Sequence, residues 1–201
     1  MTLLSFLPFA AAIVALLVAF VSLLPKQSSL ARRCFWVGMV GLAIDGLVAG
    51  LTVSATDLSE TLRDLTAGLI VNSFLPALWI VFSMTYSRGN YHESLKHWRV
   101  PLLIGSLLPI VLSVVFHGQL VDISVLEAAG NTPQLRYGLL AKALNIVLLI
   151  ANVWILMNLE QTFRSAAGTM RWRIKFVILG LAVIFGARLY VSSQALLYST
   201  Y

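Results

Sequence analysis

The chain has 201 residues, of which 59% are hydrophobic and only 11% charged, with a net charge of +6 at pH 7 and a single cysteine, Cys34. A soluble domain carries about a quarter charged residues, so this composition excludes a disordered chain, a water-soluble enzyme and a nucleic-acid-binding module. One cysteine excludes an internal disulfide, and what remains is an integral membrane protein.

A helix of about 20 apolar residues crosses the ~30 Å hydrocarbon layer. The first such run is Leu3–Leu24. No Lys or Arg precedes or interrupts it, so it lacks the basic leader of a secretory signal. The first basic cluster, Lys26, Arg32 and Arg33, follows it, which places the N-terminus outside and the cluster in the cytoplasm. The second run is Cys34–Val53, and the third, Leu65–Tyr86, contains Pro76. The fourth and shortest, Val100–Phe116, has Pro101 in its first turn and Pro109 inside. An internal proline removes one backbone bond and kinks the helix, which membrane helices tolerate when neighbours satisfy the freed carbonyl. The fifth run is Gly138–Asn158 and the sixth Phe176–Ser199. None alternates apolar and polar residues as the strands of a barrel would. The expected fold is all-α, a polytopic transmembrane helical bundle of six spans with the N-terminus outside, forming one domain over residues 1–201.

The connecting segments support that orientation. Lys26, Arg32, Arg33, Arg88, Lys96, Arg99, Arg164, Arg171, Arg173 and Lys175 fall on the inner side, and only Arg63 and Arg136 on the outer side. Ten basic residues against two is a strong positive-inside signal. Most of the net charge is therefore an orientation device, with attraction to anionic inner-leaflet lipids as a by-product. The longest outer segment, His117–Tyr137, reads as a loop containing the turn-prone Gly130-Asn131-Thr132-Pro133.

Ionisable residues inside a span are costly and mark candidate function. Three occur: Asp45, Lys142 and Arg188. Asp45 lies eleven residues into its span and Arg188 twelve into another of the same direction, which gives them nearly the same depth at ~1.5 Å per residue. Spans two and six, if neighbours, can pair them. Lys142, near the outer boundary, can snorkel back to water. Helical spacing adds a stripe of Lys142, Asn145, Leu149 and Asn152 on span five, a stripe of Gly38, Gly41, Asp45 and Thr52 on span two, and Ser192 beside Arg188. Asn72 on span three lies at comparable depth. Three readings stay open for Asp45, Asn72, Lys142, Asn145, Asn152, Arg188 and Ser192: interhelical glue, a polar pocket that senses a ligand or a protonation state, or a transport pathway. Gly46-x-x-x-Gly50 fits a close helix contact.

Other signals dissolve on inspection. His92 and His97 are five apart, one too many to converge on a metal from a helix, and His117 sits at a span end. No phosphate loop, paired catalytic carboxylates or nucleophile with its base occurs, so no catalytic residue, metal or cofactor is expected. The segment Leu159–Lys175 interleaves Phe163, Trp172 and Ile174 with Arg164, Arg171, Arg173 and Lys175. It reads either as a plain connector or as a coupling loop resting on the membrane surface with its apolar groups inserted.

Asn158-Leu159-Glu160-Gln161-Thr162-Phe163-Arg164, Arg171-Trp172-Arg173-Ile174-Lys175-Phe176 and Arg188-Leu189-Tyr190-Val191-Ser192-Ser193-Gln194-Ala195-Leu196-Leu197 form the most distinctive stretch. It resembles the membrane-embedded N-terminal sensor region of bacterial histidine kinases of the exosortase/PEP-CTERM system, the PrsK type. The resemblance implies a multi-pass input module in the bacterial inner membrane, linked to exopolysaccharide and protein sorting. In that family a further span or spans, a GAF-like domain and a kinase core follow. This sequence carries no phospho-acceptor box and no ATP lid, so the expectation is a sensor module of a two-component system without its catalytic part. A fragment, a truncated product and a partner-dependent sensor stay open. The expected partners are the lipid bilayer, a second copy of the chain, and a kinase core or response regulator reached through a missing C-terminal region. The competing readings are a small permease or channel subunit and a structural membrane partner.

Overall fold

A computed structural model describes residues 6–23, 30–55, 57–86, 99–115, 121–125, 133–137, 139–165 and 168–198. Six helices make up almost all of it: α1 (Leu7–Leu23), α2 (Leu30–Ser54), α3 (Leu58–Thr85), α4 (Arg99–Val115), α5 (Leu139–Ser165) and α6 (Gly168–Tyr198). Four of them, α2, α3, α5 and α6, are long and apolar enough to cross a membrane. The other two, α1 and α4, are apolar and 17 residues long, which is the lower limit for a span. Pro76 and Pro109 lie inside α3 and α4 as expected.

Between α4 and α5 the chain forms an antiparallel hairpin, β1 (Val121–Val125) with β2 (Pro133–Tyr137), in the register Val121 opposite Tyr137 and Val125 opposite Pro133. This corrects the reading of His117–Tyr137 as a loop at Val121–Val125 and Pro133–Tyr137; the turn-prone Gly130-Asn131-Thr132 lies outside the described residues. The physical reason is visible in Val121-Asp122-Ile123-Ser124-Val125, where β-branched residues recur with the two-residue period of a strand. Pro133 takes the first position of its strand, where a missing N–H costs least.

The described helices also outrun the apolar runs. Helix α3 begins at Leu58 instead of Leu65, α5 continues to Ser165 and α6 starts at Gly168. Hydropathy marks the edge of the hydrocarbon, whereas backbone hydrogen bonding continues into the polar zone. The connector read as Leu159–Lys175 is therefore mostly the end of one helix and the start of the next.

Helix α3 lies at the centre, packed on α2, α4 and α5, with α1 on α2 and α6 on α5. The outward surface is greasy: Leu7, Ile13, Leu17 and Phe20 of α1 are exposed while Ala12, Ala15 and Ala19 are buried. That inversion suits a lipid solvent, where packing of small residues drives association. Gly46 and Gly50 form the α1 contact: a Cβ at Gly46 would sit 3.1 Å from the Pro8 carbonyl oxygen, and one at Gly50 2.6 Å from the Phe9 ring. Gly38 and Gly41 turn the other way, toward Trp79 and Leu75 of α3. Deep hydroxyls act as further ties. Ser73 and Ser113 are fully buried, 2.7 Å apart across α3 and α4.

Helix α6 differs from the rest. A Cβ at Gly186 would meet nothing within 4 Å, so Gly186 carries the backbone-entropy cost of a helical glycine without a packing return. The Gly186→Ala variant is expected to raise the thermal midpoint of the purified protein, with a gain of up to about 1 kcal/mol. A lower midpoint would mean that α6 needs that glycine for bending.

Candidate functional site

Three helices meet at one polar point. Asp45 of α2, Asn72 of α3 and Arg188 of α6 form a closed triangle: Asn72 Nδ2 donates to Asp45 Oδ1 at 2.7 Å, Arg188 Nη2 donates to Asp45 Oδ2, and Arg188 Nη1 donates to Asn72 Oδ1. The carboxylate thus accepts from both partners and the asparagine serves both neighbours. Each side chain uses the chemistry only it has: Arg donates a fork, Asp only accepts, Asn does both. The equal depth read from the sequence becomes a salt bridge here. Each charge offsets the other's desolvation, which in a membrane interior neither could do alone.

Local sequence explains the fit. Pro76 lies inside α3 and has no N–H, so the helical bond that would end on the Asn72 carbonyl is missing. Gly41 lets α2 approach α3: a Cβ there would lie 2.8 Å from Leu75. That approach brings Asp45 within reach of Asn72.

Beside the triangle lies a cavity of about 330 Å³ between α2, α3, α5 and α6. Its polar lining is Asp45, Asn72, Asn145, Asn152, Arg188 and Ser192, six of the seven residues singled out in the sequence. Lys142 does not line it. On α5 the lining face is Asn145, Leu148 and Asn152, with Leu148 in place of Leu149. A smaller cleft of about 100 Å³ leads from Asp64, near the hairpin end of the bundle, down to Asp45 and Asn72.

Toward the opposite, Arg-rich end the core turns aromatic. Trp79 is fully buried and packs edge-on against Phe35, Phe82 and Phe185 at ring-centroid distances of 5.9, 5.5 and 5.4 Å. Sequence reasoning did not single out this cluster, because apolar residues in an apolar span give no contrast. Phe185 and Arg188 are one turn apart on α6, so the plug and the triangle share a helix face.

A family model described as the N-terminal 7TM region of histidine kinase matches residues 7–199. The chain belongs to this family. The match runs from α1 to the end of α6, well beyond the distinctive stretch at Asn158–Leu197. No curated protein and no solved structure matches the chain. The histidine-kinase region is thus a multi-pass helical membrane module, and its polar triangle and cavity lie within the membrane-spanning helices.

The expected coupling loop of this region takes a different form. Phe163 and Arg164 belong to the last turns of α5, while Arg171, Trp172, Arg173 and Lys175 belong to the first turns of α6. Phe163 packs, partly buried, against the core, and Ile174 is buried in it, so Ile174 is not free to insert into a membrane surface. Trp172 is exposed, with Lys175 Nζ 5.3 Å over its ring, and Arg164 pairs with Glu160 one turn back at 2.6 Å. The side chains of Arg171 and Arg173 lie outside the described residues, as do His92, His97 and His117 entirely.

Proposed function

We propose that the chain is the sensory input module of a bacterial inner-membrane histidine kinase, and that the Asp45–Asn72–Arg188 triangle is its signal-responsive joint. The observation that carries this is the way α6 is held. Its backbone packs on α5, whereas its polar tie to α2 and α3 runs through Arg188, with the Phe185–Trp79 contact one turn below. A change at the triangle therefore moves α6 against α2 and α3. Because α6 is one helix of 31 residues, about 46 Å long at the usual rise, such a change reaches the Arg-rich end as a rigid displacement.

The orientation supports the same reading. With the Arg-rich end in the cytoplasm and the hairpin end outside, the cleft that reaches Asp64 lies on the external side of the triangle. The basic first turns of α6 face the side where a kinase core works. Six spans from an external N-terminus bring the end of α6 outside, so a seventh span is needed to carry a following kinase core inward, in keeping with the seven spans of the family description. The narrower assignment, to the PrsK type of the exosortase/PEP-CTERM system with a homodimer as the working unit, rests on the resemblance of the Asn158–Phe176 and Arg188–Leu197 segments.

A permease would need polar residues to continue across the bundle. Below the cavity the described core holds the aromatic cluster of Phe35, Trp79, Phe82 and Phe185, and the buried Ser83 and Thr162 hydroxyls beside it are tied to their own helix backbones. A chimera tests the sensory reading: the chain joined through one added span to a cytoplasmic kinase core, in membranes, with autophosphorylation as readout. Arg188→Met combined with Asp45→Leu, which removes both charges together, is expected to keep membrane expression and shift basal phosphorylation at least threefold. Unchanged phosphorylation with normal expression would remove the triangle from the signalling path.

A further inference from the structure

The cavity wall facing the triangle is chemically unfinished. Asn152 is only 6% exposed and lines the cavity, yet its carboxamide makes no hydrogen bond among the described residues. Asn145 donates to the Ala141 carbonyl at 3.1 Å, which leaves its own side-chain oxygen without a donor there. Ser192 adds a hydroxyl with no partner among the described residues. Polar groups held away from bulk water are costly when left unpaired, and two carboxamides and the half-buried Ser192 hydroxyl line one space. Around them the lining is apolar, with Leu69, Leu75, Leu148, Phe185 and Val191 the largest members.

We propose that this cavity binds a small uncharged amphiphile, with a short apolar chain against the leucines and a head that both donates and accepts hydrogen bonds at Asn152 and Ser192. Charge balance excludes an ion. Asp45 and Arg188 already neutralise each other, so a charged ligand would be stripped of water with no counter-charge to meet it. Size agrees, since about 330 Å³ lies at the small end of the range of roughly 300–1,000 Å³ for ligand pockets. A carboxamide offers donor and acceptor together, which matches a hydroxyl or primary amide head. The bound molecule would lie against Arg188 and bias how α6 seats on α2 and α3. The inference deepens the sensory reading and rests on it for that consequence, whereas binding itself is tested separately.

The experiment uses the full chain in lipid nanodiscs and a photoreactive diazirine analogue of 1-octanol, with labelled peptides mapped by mass spectrometry. Label is expected to concentrate on Asn145–Asn152 and Arg188–Ser192. Excess 1-octanol should displace it, and octanoate and octylammonium, with the same tail but charged heads, should not. Asn152→Leu should lower cavity label about tenfold, the effect of one lost hydrogen bond at the upper end of the usual range. Label on the lipid-facing Leu179 and Val183 should stay constant. Label spread evenly over lipid-facing residues would overturn the proposal. So would equal competition by the charged analogues, or cavity label that survives Asn152→Leu. If Asn152→Leu fails to fold, Ser192→Ala and the wild-type competition decide by the same criteria. A chain that takes up no alcohol yet still needs its ion pair for signalling refutes this inference and leaves the sensory reading standing.

Discussion

Asp45→Ala is expected to destabilise the bundle by about 3 kcal/mol, the usual cost of leaving a desolvated charge without its partner. The guanidinium of Arg188 would keep only Asn72, which can accept a hydrogen bond but cannot cancel charge. Arg188 lies ten residues before the end of α6, about 15 Å at the helical rise, too deep for its side chain to reach water by snorkelling. Arg188→Ala should cost less, because a lone carboxyl can discard its charge by holding a proton and a guanidinium cannot. The double variant Asp45→Leu with Arg188→Met should recover most of the loss, since replacing a buried pair by apolar residues is often close to neutral. Thermal melting of the purified protein and membrane expression level measure all three. Asp45→Ala as stable as the wild type would mean that water, not Asp45, balances Arg188.

That prediction was largely legible in the sequence. The positions of Asp45 and Arg188 along same-direction spans gave equal depth, and the cost of lone charges supplied the reason to pair them. Asn72 was legible only as a polar residue at similar depth; its bridging role depends on α3 approaching α2, which the Gly41–Leu75 contact permits. Of the stripe on α5, Asn145 and Asn152 line the cavity and Leu149 and Lys142 do not; Leu148 takes the place of Leu149 because a spacing fixes a face only to within one residue of helical rotation. Lys142 lies higher on that helix than the cavity reaches.

Contrast decides what can be read. Polar residues in an apolar span stand out, so six of the seven residues named from the sequence line one cavity. Apolar residues do not, so the Trp79 cluster was invisible although it fills the other half of the core. The β-hairpin was missed for a different reason. Five residues with a two-residue period are easily outweighed by a neighbouring run of turn formers, and only pairing with Pro133–Tyr137 makes Val121–Val125 a strand. Helix ends were set too short because the charged turns at Glu60–Asp64 and Glu160–Arg164 read as boundary, whereas Glu160 and Arg164 tie two successive turns of α5 together.

The glycines of α2 support a second large effect. Gly38→Val places a Cβ 2.8 Å from Trp79 Cε2 and 2.9 Å from Cζ2, and the ring has nowhere to go, with Phe35, Phe82 and Phe185 on its flanks. The helices must part, at a cost of about 3 kcal/mol, the upper end for overpacking. Separation of α2 from α3 also stretches the 2.7 Å bond from Asn72 to Asp45, so the variant should both melt earlier and mimic loss of the triangle in the kinase chimera. Gly68→Ala is the control on the facing helix: its Cβ would meet Val48 at 3.5 Å, an ordinary contact, and stability should hold or rise. Combining Gly38→Val with Trp79→Phe should restore part of the loss, because the smaller ring vacates the space the valine needs. If the double variant melts no later than Gly38→Val alone, the strain lies in the α2 backbone and not against the indole, and the close approach that positions Asp45 must then be set by Gly41.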